Sequence, residues 1–244
     1  RFRTPREVYD DPLTAAAANW LATGTLLART CNRALLIDIG TTTTDLIPIE
    51  QRRVGAIGRT DLERLASGAL VYTGLVRTPV CAVMQMPYLR GSPVRLSAEL
   101  FAVMGDVYSV LGLISGADYT GPTPDGRPPT PAASAQRLAR MVGADAAELG
   151  QEQIGWMARQ IMEEQVSLIA RAAAQVLSRM ERPAAVPVVG TGLGAALAQR
   201  VARRLDLPYA DLEEFGLASG QAAPAAAVAR LLAEEVLAWP LFTD

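Results

Sequence analysis

The chain has 244 residues, half of them hydrophobic, with a net charge of −2 and a pI near 5.4. That length can bury a core as one large domain or two small ones, and no basic surface is available to attract nucleic acid. All 23 basic residues are arginine, and histidine is absent. Lysine-dependent chemistry, a histidine triad, a histidine general base and histidine metal ligands are therefore excluded.

The two cysteines, Cys31 and Cys81, are far apart and form no CxxC pair. Free thiols in a reducing cytoplasm are expected rather than a disulfide framework. No apolar run reaches about 18 residues, so no membrane span is expected. The opening RFRTPREVYDD carries no methionine and reads as the interior of a longer gene product.

In chain order, residues 12–30 have the alanine-rich pattern of a helix. In ALLIDIGTTTTDLIPI (34–49) two apolar runs flank a glycine and four threonines, which predicts antiparallel strands joined by a tight turn. Thr60, Asp61, Leu62 and Glu63 have the form of a helix cap opening a short helix to about Ser67. ALVYTG, PVCAVMQM and PVRLS predict short strands. A helix is expected over about 98–111. The stretch 115–131 has the composition of an exposed loop and is the best placed hinge or linker. Helices are expected near 134–142 and over about 146–181. VPVVG then predicts a buried strand, GTGLG a turn, AALAQRVARRL a helix, and LPYADL a short strand before an amphipathic alanine-rich helix over about 222–239. Alternating strands and helices indicate an α/β fold.

Four segments organise this reading. They are a helical remainder (1–33), a phosphate-loop and substrate segment (34–114), a loop (115–131), and a helical segment with a glycine-rich loop and final helix (132–244).

Chemistry concentrates in IDIGTTTTD. Gly40 lets the backbone bend toward a ligand, and the turn amides with the hydroxyls of Thr41, Thr42 and Thr43 can donate to phosphate oxygens. Asp38 would repel a bare phosphate but suits Mg²⁺ held beside a polyphosphate. The plainer alternative is a hairpin of β-favouring threonines. GTGLG, with Gly190, Gly192 and Gly194, follows a strand and opens a helix, where backbone amides can meet a phosphate. With Ala195 it also satisfies G-x-G-x-x-A, and Asp211 ends the next strand, so a dinucleotide-binding unit is the rival. Close helix–strand packing is the structural alternative. Arg77 could clamp an anion or form a surface ion pair. Glu99 and Asp106, seven positions apart on the expected helix, would share a face for metal binding, base catalysis or mere solvation. Trp20, Trp156 and Trp239 read as core or interface residues.

A DxGxT hairpin followed by a glycine-rich loop resembles the superfamily of actin, sugar kinases and heat-shock chaperones. Within it, AAAANWLATGTLLA, LLIDIGTTTTDLIPI, TDLERLASGALVYTGLVRTPVCAV, AELFAVMGDVYSVLG and QRLARMVGAD are similar to the hydantoinase A/oxoprolinase-related family over nearly the whole chain. The resemblance implies an actin-like ATPase lobe of ribonuclease H type, a mixed sheet flanked by helices. It places Asp38, Gly40, Thr41, Thr42 and Thr43 on a phosphate loop and Gly190, Gly192 and Gly194 on an adenosine-side loop. Residues 218–232 resemble a connecting helix, and Arg77, Glu99 and Asp106 fall on family motif positions. Such proteins carry a further DxGG hairpin in an N-terminal lobe, so this chain is expected to be truncated there and to align a transition state poorly.

The implied function is a transferase of methanofuran or methylofuran assembly. It would join a furanmethyl diphosphate to a tyramine-type phenol and release pyrophosphate, with Mg²⁺ and either ATP or the substrate diphosphate in the loops. Asp45, Asp61, Glu99 and Asp106 are the candidates to take the phenolic proton. An ATP-dependent hydrolase or kinase and a non-catalytic nucleotide-dependent scaffold are the alternatives. The expected partner is a small molecule, with homo-oligomerisation left open.

Overall fold

A computed structural model describes residues 5–11, 19–55, 58 and 60–237. The expected helix residues 12–18 and Trp239 lie outside them. In chain order the first elements are α1 (Pro5–Asp10), α2 (Asn19–Thr30), β1 (Arg33–Ile39), β2 (Thr44–Glu50), β3 (Arg53–Val54), α3 (Asp61–Ser67) and β4 (Leu70–Val71). Next come α4 (Val80–Val83), β5 (Tyr88–Leu89), β6 (Ser92–Pro93), α5 (Met104–Val110), α6 (Pro131–Arg140), α7 (Ala146–Leu149) and α8 (Gln151–Leu177). The chain ends with β7 (Val188–Gly192), α9 (Ala195–Arg204), β8 (Tyr209–Asp211) and α10 (Ala223–Leu237).

Two compact units result. The first comprises Arg1–Ile39, Asp45–Val71 and Ala170–Asp244; the second comprises Gly40–Thr44 and Tyr72–Ile169. The first unit is built on a mixed sheet of order β3-β2-β1-β7-β8, with β4 paired to β2. Residues 40–43 are too few for a parallel crossover, so β1 and β2 run antiparallel. β1 pairs in parallel with β7, and β7 with β8. Residues 34–39 of β1 are all buried, as expected of a central strand covered on both faces. α2 and α10 pack together, and Leu26, Leu27, Ala223 and Ala227 share one core with Leu36, Ile47, Ile49 and Val189. α9 packs on β7 and β1 through its buried stripe of Leu197, Ala198, Val201 and Ala202. This is the mixed, helix-flanked α/β sheet that the resemblance implies. α3 begins at the expected place. The Thr60 hydroxyl accepts from the Glu63 amide and the Glu63 carboxylate accepts from the Thr60 amide, a reciprocal cap worth about 1 kcal/mol.

The second unit departs from the sequence reading in four places. Residues 98–103 are not helical: Val80 donates to the Ala102 carbonyl and Met104 to the Thr78 carbonyl, and Val103 pairs with Pro79. Backbone groups engaged in that extended pairing are lost to a helix, so α5 starts only at Met104. PVCAVMQM contains the helical turn α4 rather than a strand, and of the third expected strand, PVRLS, only Pro93 lies in β6, which pairs with β5. The loop 115–131 lies wholly within the second unit and so links no two units. It is anchored: the Tyr119 hydroxyl reaches Asp106 and the Asp125 carboxylate accepts from Arg137 and Arg140. Among the described residues no helix is long and apolar enough to cross a membrane.

Candidate functional site

In the second unit the threonine turn docks on residues 74–77. The Gly40 amide donates to the Thr43 carbonyl at 3.0 Å, closing the turn. Leu75 donates to the Gly40 carbonyl, and Val76 and Arg77 both donate to the Thr41 carbonyl, at 2.8–3.0 Å. Gly74 fits because it has no side chain: a Cβ there would lie 2.5 Å from the Thr41 carbonyl carbon. The turn is therefore held through its carbonyls. None of these bonds uses the amides of Thr41, Thr42 or Thr43, and the three hydroxyls are half-buried. Thr41 and Thr42 place their Oγ1 atoms 3.4 Å apart. The next threonine, Thr44, points into the fold and donates to the Thr73 carbonyl at 2.7 Å. The Arg77 amide thus meets Thr41, while its exposed guanidinium lies near Gly121, and the open side of the turn can offer donors to an anion.

In the first unit Asp38 is 7% exposed and makes no side-chain hydrogen bond among the described residues. Burial pushes its pKa up to about 7, with the nearby Asp45 carboxylate adding to the shift. Asp45 is also raised by burial, against the opposing pull of Arg64, with which it forms a close ion pair. Arg64 is itself buried; its guanidinium lies 4.3 Å from the centre of the Trp20 ring and reaches the exposed Asp61 at 3.5 Å. Beside β1, Asp38 aligns with Thr191 and Ile39 with Gly192. The Thr191 hydroxyl is buried and has no hydrogen-bond partner among the described residues.

The glycine loop closes on this strand end. Gly192 has φ +81, and a Cβ there would collide with Asp38 Oδ1 and lie 2.6 Å from the Ile39 carbonyl oxygen. A Cβ on Gly194 would press on Ile39, and one on Gly190 would lie 2.5 Å from the Tyr209 hydroxyl. Gly192 and Gly194 are thus required by packing inside the first unit, whereas a methyl group on Gly190 would displace the end of the Tyr209 side chain. Asp211 accepts from the Tyr209 hydroxyl at 2.7 Å, and its amide donates to Glu214. The antiparallel β2 and β3 also depart from the doubly wound parallel sheet that dinucleotide binding requires.

The expected pair Glu99 and Asp106 is not a pair. Glu99 lies outside α5 and is exposed, whereas Asp106 is fully buried. Asp106 Oδ1 accepts from Arg137 at 2.8 Å, Ser134 at 2.9 Å and Tyr119 at 3.2 Å, and Oδ2 accepts from the Val103 amide. A carboxylate so enclosed holds the fold of the second unit and is not placed to take a substrate proton. Among the described residues no group of three or more His, Cys, Asp or Glu side chains could hold a metal alone. Asp38 still suits Mg²⁺, which commonly takes one or two carboxylates and completes its shell with water and substrate phosphate.

Sequence reasoning missed Arg64, Arg137 and Gln165. Gln165 carried a usable signal, because it is polar yet spaced by four from Ile161 and Ile169 on the apolar face of α8.

Comparison with known proteins places this geometry in a lineage. The family model for hydantoinase/oxoprolinase matches residues 1–235. The (4-{4-[2-(γ-L-glutamylamino)ethyl]phenoxymethyl}furan-2-yl)methanamine synthase of Methanocaldococcus jannaschii is 32% identical over 236 residues, covering 96% of this chain and 70% of that protein. The protein of the same name from Methanococcus vannielii is 38% identical over 111 residues, 46% of this chain and 50% of its own. Both the threonine turn and the glycine loop thus lie in a sequence matched along almost all of its length, and the chain belongs to the hydantoinase/oxoprolinase family.

Proposed function

We propose that this protein is a transferase of methanofuran or methylofuran assembly, joining a furanmethyl diphosphate to a tyramine-type phenol. The observation that carries the reading is the threonine turn: the carbonyls of Gly40, Thr41 and Thr43 are tied down, while among the described residues no backbone bond takes up the amides of Thr41, Thr42 or Thr43. Such a turn suits the oxygens of a diphosphate, and Arg77, whose amide meets the Thr41 carbonyl, is the candidate cation to reach it. The names of the two relatives, both synthases that make a phenoxymethyl-furan, support the same chemistry.

In the proposed reaction the phenol oxygen attacks the furanmethyl carbon, the bond from that carbon to the diphosphate oxygen breaks, and pyrophosphate leaves. Donors aimed at the diphosphate stabilise the negative charge that grows on it. Asp38 would hold Mg²⁺, which supplies further neutralisation of the leaving group. The phenolic proton needs a carboxylate. Asp106 is committed to Arg137 and Asp45 to Arg64, whereas Asp61 and Glu99 keep exposed carboxylates.

Incubating the protein with a furanmethyl diphosphate, with and without a tyramine-type phenol, tests this reading. The expected result is pyrophosphate release that requires the phenol and forms one ether product per pyrophosphate. Phosphate release from ATP without either substrate would support an ATP-dependent hydrolase instead.

A further inference from the structure

We infer that Gln165 is a positioning residue for diphosphate binding, fixing the threonine turn from beneath. The inference rests on the diphosphate reading of that turn. Gln165 is fully buried in the middle of α8. Its Nε2 donates to Thr73 Oγ1 at 2.7 Å and to the Gly74 carbonyl at 2.9 Å. Its Oε1 accepts from the Tyr108 hydroxyl at 2.6 Å. The orientation of the amide is fixed chemically, because a carbonyl can only accept, so the nitrogen must face Gly74.

These bonds act on the residues that carry the turn. Thr73 accepts from Thr44 through its carbonyl, and Gly74 donates to Thr78 Oγ1 at 2.8 Å. Gly74 also abuts the Thr41–Thr42 peptide, and residues 75–77 donate to the carbonyls of Gly40 and Thr41. A buried amide whose two donors and one acceptor are all engaged is costly to disturb, so it sets the height and tilt of residues 73–77. The donors of the turn follow, and ligand donors misplaced by about an ångström lose much of their effect.

Gln165→Met keeps the length and apolar contacts of the side chain but removes all three hydrogen bonds. Thr73→Ser, which keeps the hydroxyl, serves as the conservative control. Pyrophosphate affinity in the presence of Mg²⁺ is measured well below the melting point, together with hydrogen exchange. We expect Gln165→Met to bind pyrophosphate about tenfold or more weakly, with faster exchange at the Leu75, Val76 and Arg77 amides and unchanged exchange in β1. Thr73→Ser should bind within about twofold of the parent. If the parent binds pyrophosphate and Gln165→Met binds it equally well, Gln165 is only a packing residue. If the parent does not bind pyrophosphate at all, the diphosphate reading fails and this inference fails with it.

Discussion

A Cβ placed on Gly192 would collide with Oδ1 of Asp38. The glycine loop and the acidic end of β1 therefore occupy adjoining space, aligned by the register that sets Ile39 opposite Gly192. With φ at +81, residue 192 also adopts a backbone conformation that disfavours any side chain. Gly192→Ala should destabilise the protein by about 2 kcal/mol or more, combining backbone strain with displacement of Asp38. Urea melts of the two proteins check this, and an unchanged midpoint would show that the loop accommodates a methyl group.

Asp38 makes stability depend on pH. Its folded-state pKa of about 7 lies above its unfolded value, so between the two the folded chain holds more protons than the unfolded one. Stability should therefore fall as pH rises from about 4 to 7, by at most about 4 kcal/mol for a shift of roughly three units. Asp38→Asn resembles the protonated acid and should lack this contribution. The variant should match the parent near pH 4 and exceed it in stability at pH 8, as thermal melts across that range would reveal. Equal pH slopes for the two proteins would mean that Asp38 is ionised without penalty.

The ion pair of Asp106 and Arg137 has both side chains fully buried. Removing one partner strands the other charge, so Arg137→Met should cost about 3–5 kcal/mol. The double variant Asp106→Leu with Arg137→Met should cost less than the two single changes added together, because no charge remains uncompensated. Denaturant melts of all three variants give the coupling. Additive losses would contradict the assignment of Asp106 as the partner that neutralises Arg137.

What could be read from the sequence was local. The Thr60/Glu63 cap fixed the start of α3, and the glycine with four threonines marked the turn between β1 and β2. What could not be read depended on distant partners. Ala102 and Val103 look helical with their neighbours, but their backbone groups meet residues 78–80. Asp106 looked like an acid on a helix face until Arg137, 31 positions away, neutralised it. Gln165 meets Thr73 across 92 positions, a contact that no local pattern encodes. The donors of the turn could be read because they are contiguous in sequence, whereas the residues that hold it are not.

Calorimetric titration with pyrophosphate, with and without Mg²⁺, on the parent and on Asp38→Asn tests the central claim most directly. If Asp38 holds Mg²⁺ for the diphosphate, as proposed, parent affinity should rise at least about tenfold with Mg²⁺. That gain should increase with pH up to about 7, as the Asp38 proton is lost, and should vanish in Asp38→Asn. Pyrophosphate affinity that is the same in both proteins, whether or not Mg²⁺ is present, would contradict the account.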